Sequence, residues 1–266
     1  MDDVEETLEI KIHGAREQPT LIYLPGTHGD CTIITPLRHL LSPHCRFVEI
    51  TYPRTTSWFL SDYARHITNA LSSQGITEGW LLAESFGSQI AWPLANELAG
   101  GLKCRGIILA GGFGRHPFPW GVRLAIKGLK WLTAKDSRVN RAMQTYSRMV
   151  KACYETTADT EQAVQSFIER RNAADASAAI HRLHLIATNN PQESITRTQL
   201  MVFSLSGFWD ALVPWYLVTP WLRRHCPRYK ESALIYTADH NVLFSAPSKS
   251  ARTILKWLGR DESKDS

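Results

Sequence analysis

The chain has 266 residues, 44% hydrophobic and 21% charged, a composition that suits one large domain with a sizeable core. Its net charge of +5 is scattered along the chain without a basic run, which argues against nucleic acid as a partner, and its five cysteines form no CxxC pair and offer no zinc spacing. The N-terminus lacks an apolar signal core and no stretch approaches a membrane span, so the expectation is a cytoplasmic protein with no transmembrane segment, no metal and no organic cofactor.

Residues 4–12 alternate apolar and charged side chains (Val4, Leu8, Ile10, Ile12), as a half-exposed edge strand does. Thr20–Leu24 is a short apolar run that reads as a buried central strand, and it ends in the loop Pro25-Gly26-Thr27-His28-Gly29-Asp30. A glycine-rich loop directly after a strand lets backbone N–H groups point at a ligand. A helix is expected over 32–41, a strand over 46–50 and a helix over 61–71. A second apolar run, Gly79–Ala83, stops abruptly at Ser85 and gives way to an Ala/Leu/Ile-rich helical pattern that reaches Ala99, with a bend expected at Pro93. Gly106–Ala110 is another buried strand and leads into Gly111-Gly112-Phe113-Gly114.

From there to about residue 190 no strand is expected. The helical patterns are Gly121–Leu132, Val139–Tyr154, Thr160–Arg171 and Ala173–Ile186. In the first of them Arg123, Lys127 and Lys130 lie at helical spacing, either solvating an outer face or touching an anionic lipid surface. Phe118, Trp120 and Trp131 are candidates to wall an apolar acyl pocket. Strand and helix then alternate again: a strand over 199–205, the loop 206–214 with Trp209 and Asp210, a helix over 216–225, a strand over 232–236, a loop carrying Asp239 and His240, and a last helix over 248–258. Strands alternating with helices imply a doubly wound, mostly parallel sheet, in which ligands bind at the C-terminal ends of the strands.

The segment Ala83-Glu84-Ser85-Phe86-Gly87 resembles the nucleophile elbow of the α/β-hydrolase fold: a serine on a sharp strand-to-helix turn, flanked by small residues that avoid a clash. Gly207-Phe208-Trp209-Asp210-Ala211-Leu212-Val213-Pro214 matches the same superfamily's acid motif, and His240 falls at its position for the catalytic base. The order Ser85, Asp210, His240 is the one that fold requires. By that resemblance, the backbone N–H groups of Thr27 and Phe86 form the oxyanion hole, with His28 as an alternative donor, and His28, Phe113, Phe118, Trp120 and Trp209 surround the substrate. Residues 1–113 and 191–266 form the hydrolase core, and residues 114–190 a helical cap inserted after the strand that follows the elbow helix.

The resemblance implies a serine hydrolase of the small bacterial esterase kind, acting on a carboxylic ester or thioester of a small or medium apolar acyl group. A thioesterase serving a carrier also wants basic residues near the mouth, for which Arg115, Arg123 and Lys127 are candidates. A C–C bond hydrolase or lyase of the same fold, and a non-catalytic ligand-binding protein, are the competing readings; an intact triad speaks against the last. Asp239 is a rival acid by adjacency, read here as a turn residue.

Overall fold

The computed structural model describes residues 7–98, 103–133, 158–169 and 173–259. The strands are β1 (Glu9–His13), β2 (Thr20–Leu24), β3 (Arg46–Thr51), β4 (Glu78–Glu84), β5 (Lys103–Ala110), β6 (Met201–Gly207) and β7 (Tyr229–Ile235). The helices are α1 (Thr35–Leu41), α2 (Leu60–Ser73), α3 (Gly87–Leu98), α4 (Pro119–Thr133), α5 (Ala158–Glu169), α6 (Ala173–Thr188), α7 (Gln192–Arg197), α8 (Trp215–His225), α9 (Val242–Ser245) and α10 (Pro247–Leu258). The predicted helix Val139–Tyr154 and Cys153 lie outside the described residues.

The seven strands form one sheet in the order β1-β3-β2-β4-β5-β6-β7, parallel except for β1, which pairs antiparallel with β3 at the edge. β1 is edge-like for the reason its alternation gave: only one face of it meets the core. The central strands are buried on both faces, and their successive residues divide between two cores. On one side Leu21, Tyr23, Leu82 and Ile108 meet α1 and α10 through Leu37, Leu41, Ile254 and Trp257. On the other, Ile22, Leu24, Leu81 and Ile107 meet α2 and α3 through Tyr63, Ile67, Ile90 and Leu94. Each such fully buried aliphatic side chain contributes about 1.5–3 kcal/mol, enough to fix the register of every central strand.

The elbow helix α3 runs through Pro93 to Leu98. Between β5 and β6 the described residues hold helices and no strand, and Val122, Ile126, Leu185 and Ile186 of those helices belong to the same core as the sheet. β7 begins three residues earlier than its apolar stretch suggested. Tyr229 is held there by its hydroxyl, 2.6 Å from Ser204 Oγ. No helix among the described residues is long and apolar enough to cross a membrane.

Candidate active site

The chain leaves β4 at Glu84 and enters α3 at Gly87, so a reversal must be made in two residues. Ser85 makes it with φ +46°, the one non-glycine positive φ among the described residues. Such a conformation costs on the order of 1–3 kcal/mol and persists only where the surroundings enforce it. Here they do. The Ser85 N–H donates to the Ala110 carbonyl at 3.0 Å, and its own carbonyl accepts the N–H and hydroxyl of Ser88 at 3.0 and 2.6 Å. Gly87 passes so close to β2 that a Cβ there would lie 2.2 Å from the Leu24 carbonyl oxygen. The turn lifts Ser85 to the edge of the sheet, beside the positive end of α3.

The loops after β6 and β7 meet it there. His240 Nε2 lies 2.9 Å from Ser85 Oγ, and His240 Nδ1 lies 2.9 Å from Asp210 Oδ2. The other oxygen of Asp210 accepts the N–H groups of Leu212 and Val213 at 3.0 and 2.7 Å, which aims the buried carboxylate at the imidazole. Burial of the ring opposes protonation of His240, yet the hydrogen bond and charge of Asp210, with the charges of Glu84 and Asp239, outweigh it and hold its pKa above the ordinary histidine value. Asp239 turns away and accepts the N–H of Asn241 at 3.0 Å. Burial pushes the thiol of Cys45 up to about 12, that of Cys226 up to about 11 and that of Cys31 well above its usual value, which disfavours the reactive thiolate at these three.

Ser85 and His240 open into a cavity of about 720 Å³. Phe113, Phe118, Trp120 and His28 line it, as do Val122, Phe167, Leu183 and Ile186 from the helices between β5 and β6. His28 also packs edge-on against Phe167 at 4.9 Å. Thr27 lies in the same wall, and the N–H groups of Thr27 and Phe86 donate no hydrogen bond among the described residues. Two donors left unpaired beside a serine are open to an acceptor brought by a ligand.

Trp209 is a correction. It does not line the cavity; it is 70% exposed and packs against Phe208 at the outer end of β6. Gly207 to Asp210 is a turn, closed by the Asp210 N–H on the Gly207 carbonyl at 3.3 Å, and it carries Asp210 inward to His240 while Trp209 faces solvent.

Three polar residues escaped the sequence reading. Glu84 lines the cavity one residue before Ser85, bonded by the Tyr23 hydroxyl. Burial raises its pKa, and the Tyr23 hydrogen bond and the His240 charge only partly offset that. Its place in the elbow motif was the available signal. His116, lowered by burial and by the charge of His240, stays neutral and accepts the Phe118 N–H on Nδ1 at 3.1 Å. Arg182 reaches the Thr27 loop from α6, and no local pattern announces it. Among the described residues no group of three His, Cys, Asp or Glu is assembled to hold a metal.

No family model matches this sequence. No curated protein matches it either. Solved structures do. The chain is similar over 97% of its length to 96% of an α/β-hydrolase enzyme from a Medee basin deep-sea metagenome library, with a TM-score of 0.75 and 13% identity. It is similar over 95% of its length to 96% of an esterase from Exiguobacterium antarcticum, with a TM-score of 0.73 and 13% identity. Against a thermophilic esterase from Thermogutta terrifontis the coverage is 94% and 92%, the TM-score 0.72 and the identity 16%. The chain has the α/β-hydrolase fold.

Proposed function

We propose that this protein is a serine hydrolase that cleaves a carboxylic ester or thioester of a small or medium apolar acyl group through an acyl-enzyme on Ser85. The observation that carries the reading is the unbroken chain Asp210–His240–Ser85, with both links at 2.9 Å, at the floor of a mainly apolar cavity. That esterases occur among the solved structures of the same fold supports the ester bond as the target.

In this reading Ser85 Oγ attacks the acyl carbonyl while His240 Nε2 takes its proton. The oxyanion is received by the N–H groups of Thr27 and Phe86, each such donor being worth roughly 10²–10³ in rate. The tetrahedral species collapses, the carbonyl-to-leaving-group bond breaks, and His240 returns the proton to the departing alkoxide or thiolate. Water then attacks the acyl-enzyme, giving one proton to His240, which passes it to Ser85 as the acid is released. Residues 114–190 serve as the cap whose α4 and α6 shape the acyl cavity.

The test is hydrolysis of p-nitrophenyl esters and acyl thioesters of increasing chain length, with fluorophosphonate labelling of Ser85 read by mass spectrometry. A buried methylene is worth about 0.8 kcal/mol, so kcat/KM should rise about fourfold per added methylene until the cavity is full. A flat length dependence contradicts the apolar acyl pocket. An adduct without turnover of any ester or thioester moves the reading to another bond type, such as C–C cleavage. Neither adduct nor turnover leaves a ligand-binding protein.

A weak contact with an anionic lipid surface belongs to the same reading. α4 carries Arg123, Lys127 and Lys130 and no acidic residue, and Trp120 and Leu124 stand exposed on it, Trp120 also lining the cavity. Charge attraction of this kind is screened beyond about 10 Å at 0.1 M salt. Sedimentation with phosphatidylglycerol vesicles should therefore decline with salt and with Trp120→Ser. Equal binding to phosphatidylcholine vesicles, or none, removes the contact.

A further inference from the structure

Arg182 is a cation that the fold buries to 1% exposure. Its guanidinium meets neutral acceptors only: Nη1 donates to the Thr27 carbonyl at 2.9 Å, Nη2 to the Pro53 carbonyl at 2.8 Å and Nε to the Tyr63 hydroxyl at 3.3 Å. The group also lies 5.4 Å from the centre of the Tyr52 ring. Among the described residues it forms no ion pair. An unpaired buried charge is expensive, and well-packed apolar residues often replace buried ions without loss of stability. Stability alone therefore does not account for this arginine.

What it touches does. Pro25 to Gly29 closes as a turn through Gly29 N–H on the Gly26 carbonyl at 3.0 Å, and the Gly29 carbonyl accepts the Tyr52 N–H at 2.7 Å. Gly29 has φ +79°, and a Cβ there would lie 2.4 Å from Arg182 Nη1, so only glycine leaves room for the guanidinium. Arg182 thus grips the turn at the residue whose N–H stands ready beside Ser85. The planar fork suits this task, because it holds two carbonyls, Thr27 and Pro53, in one fixed geometry that a lysine cannot reproduce.

We infer that Arg182 is a positioning residue of the oxyanion hole: it reaches from the helical insert to lock the Thr27 turn, and its unneutralised charge favours the negative charge that develops there. The inference rests on the serine hydrolase reading. It also means that the insert supplies part of the catalytic geometry and not the acyl cavity alone, since Leu183 and Ile186 of the same helix line that cavity.

The experiment compares wild type with Arg182→Met, Arg182→Lys and Gly29→Ala, the last displacing the guanidinium from the other side of the contact. An intact hole donor is worth roughly 10²–10³, so its misplacement should lower kcat about 10- to 100-fold while KM stays within about threefold. The inhibition constant of an alkyl trifluoromethyl ketone, which presents an oxyanion on Ser85, should weaken by the same factor as kcat/KM. In a fourth variant, Arg182→Ala, added guanidinium should restore part of the activity. Should Arg182→Met not fold, Arg182→Lys, which keeps the charge and loses the fork, carries the same comparison. Folded variants with wild-type kcat, or with a raised KM alone, overturn the proposal and leave the hydrolase reading standing. A wild-type protein with neither turnover nor a fluorophosphonate adduct removes that reading, and the proposal with it.

Discussion

Ser85→Ala and His240→Ala should each lower kcat for the preferred p-nitrophenyl ester by roughly 10⁶-fold, and the double variant should be no slower than either. The reason lies in the 2.9 Å contact between His240 Nε2 and Ser85 Oγ. A serine hydroxyl is a poor nucleophile until a base accepts its proton, so the two side chains act as one unit and the loss of either removes the whole advantage, about 8 kcal/mol. Steady-state kinetics with thermal melts of the same samples decide the matter. Alanine at position 85 keeps the backbone bonds to Ala110 and Ser88, so the elbow should persist and the variant should melt near wild type. Losses that multiply in the double variant would show two independent roles and refute the proton-transfer pairing.

How much of this was legible in the chain depends on how local each signal is. The elbow was, because the constraint on it is local: two residues to reverse direction, small neighbours at Ala83 and Gly87, and an apolar run before them. The central strands were, because a strand covered on both faces must be apolar along its buried length, as residues 21–24 and 106–110 are. The strand order was not, since nothing in Arg46–Thr51 tells the chain to run between β1 and β2 rather than beyond them. Short α7 and α9 escaped for want of enough turns to show a period.

Side-chain direction and long-range partners form the second boundary. Trp209 was expected around the substrate, yet the turn that carries Asp210 inward leaves its neighbour facing solvent. Arg182 sits in an Ala- and Leu-rich helix where one basic residue reads as solvated surface; only the packing of α6 against the loops after β2 and β3 turns it inward. Tyr23 likewise reads as one more strand residue until β2 and β4 pair, bringing its hydroxyl to Glu84 beneath the serine. The residues that support the site are the ones with no local signature, because their partners lie on distant parts of the chain.

Asp210→Asn should lower kcat by about 10⁴-fold while leaving the fold intact. The carboxylate has two duties that an amide performs badly. It lies 2.9 Å from Nδ1 of His240 and accepts its proton; in the proposed reaction this leaves Nε2 free to take the proton of Ser85, and the charge stabilises the imidazolium formed in that step. An asparagine can present its NH₂ to Nδ1 instead, and the ring then carries its proton on Nε2, facing the serine as a donor. The same substitution should move the acid limb of the pH profile, with a sign fixed by His240. In the proposed reaction His240 works as the neutral base, and Asp210 is the largest influence holding its pKa above the ordinary 6.5 against burial. In the wild type kcat/KM should therefore fall as the pH drops through a value above 6.5. With Asp210 neutralised, burial is opposed only by Glu84 and Asp239, so the limb should shift to lower pH even as the rate collapses. Titration of the His240 ring by NMR reads the shift without relying on activity. Glu84→Gln should move it in the same direction by less, with kcat largely kept, because Glu84 acts on His240 through charge alone. An unchanged His240 titration in Asp210→Asn would mean that another group sets the proton affinity of this base.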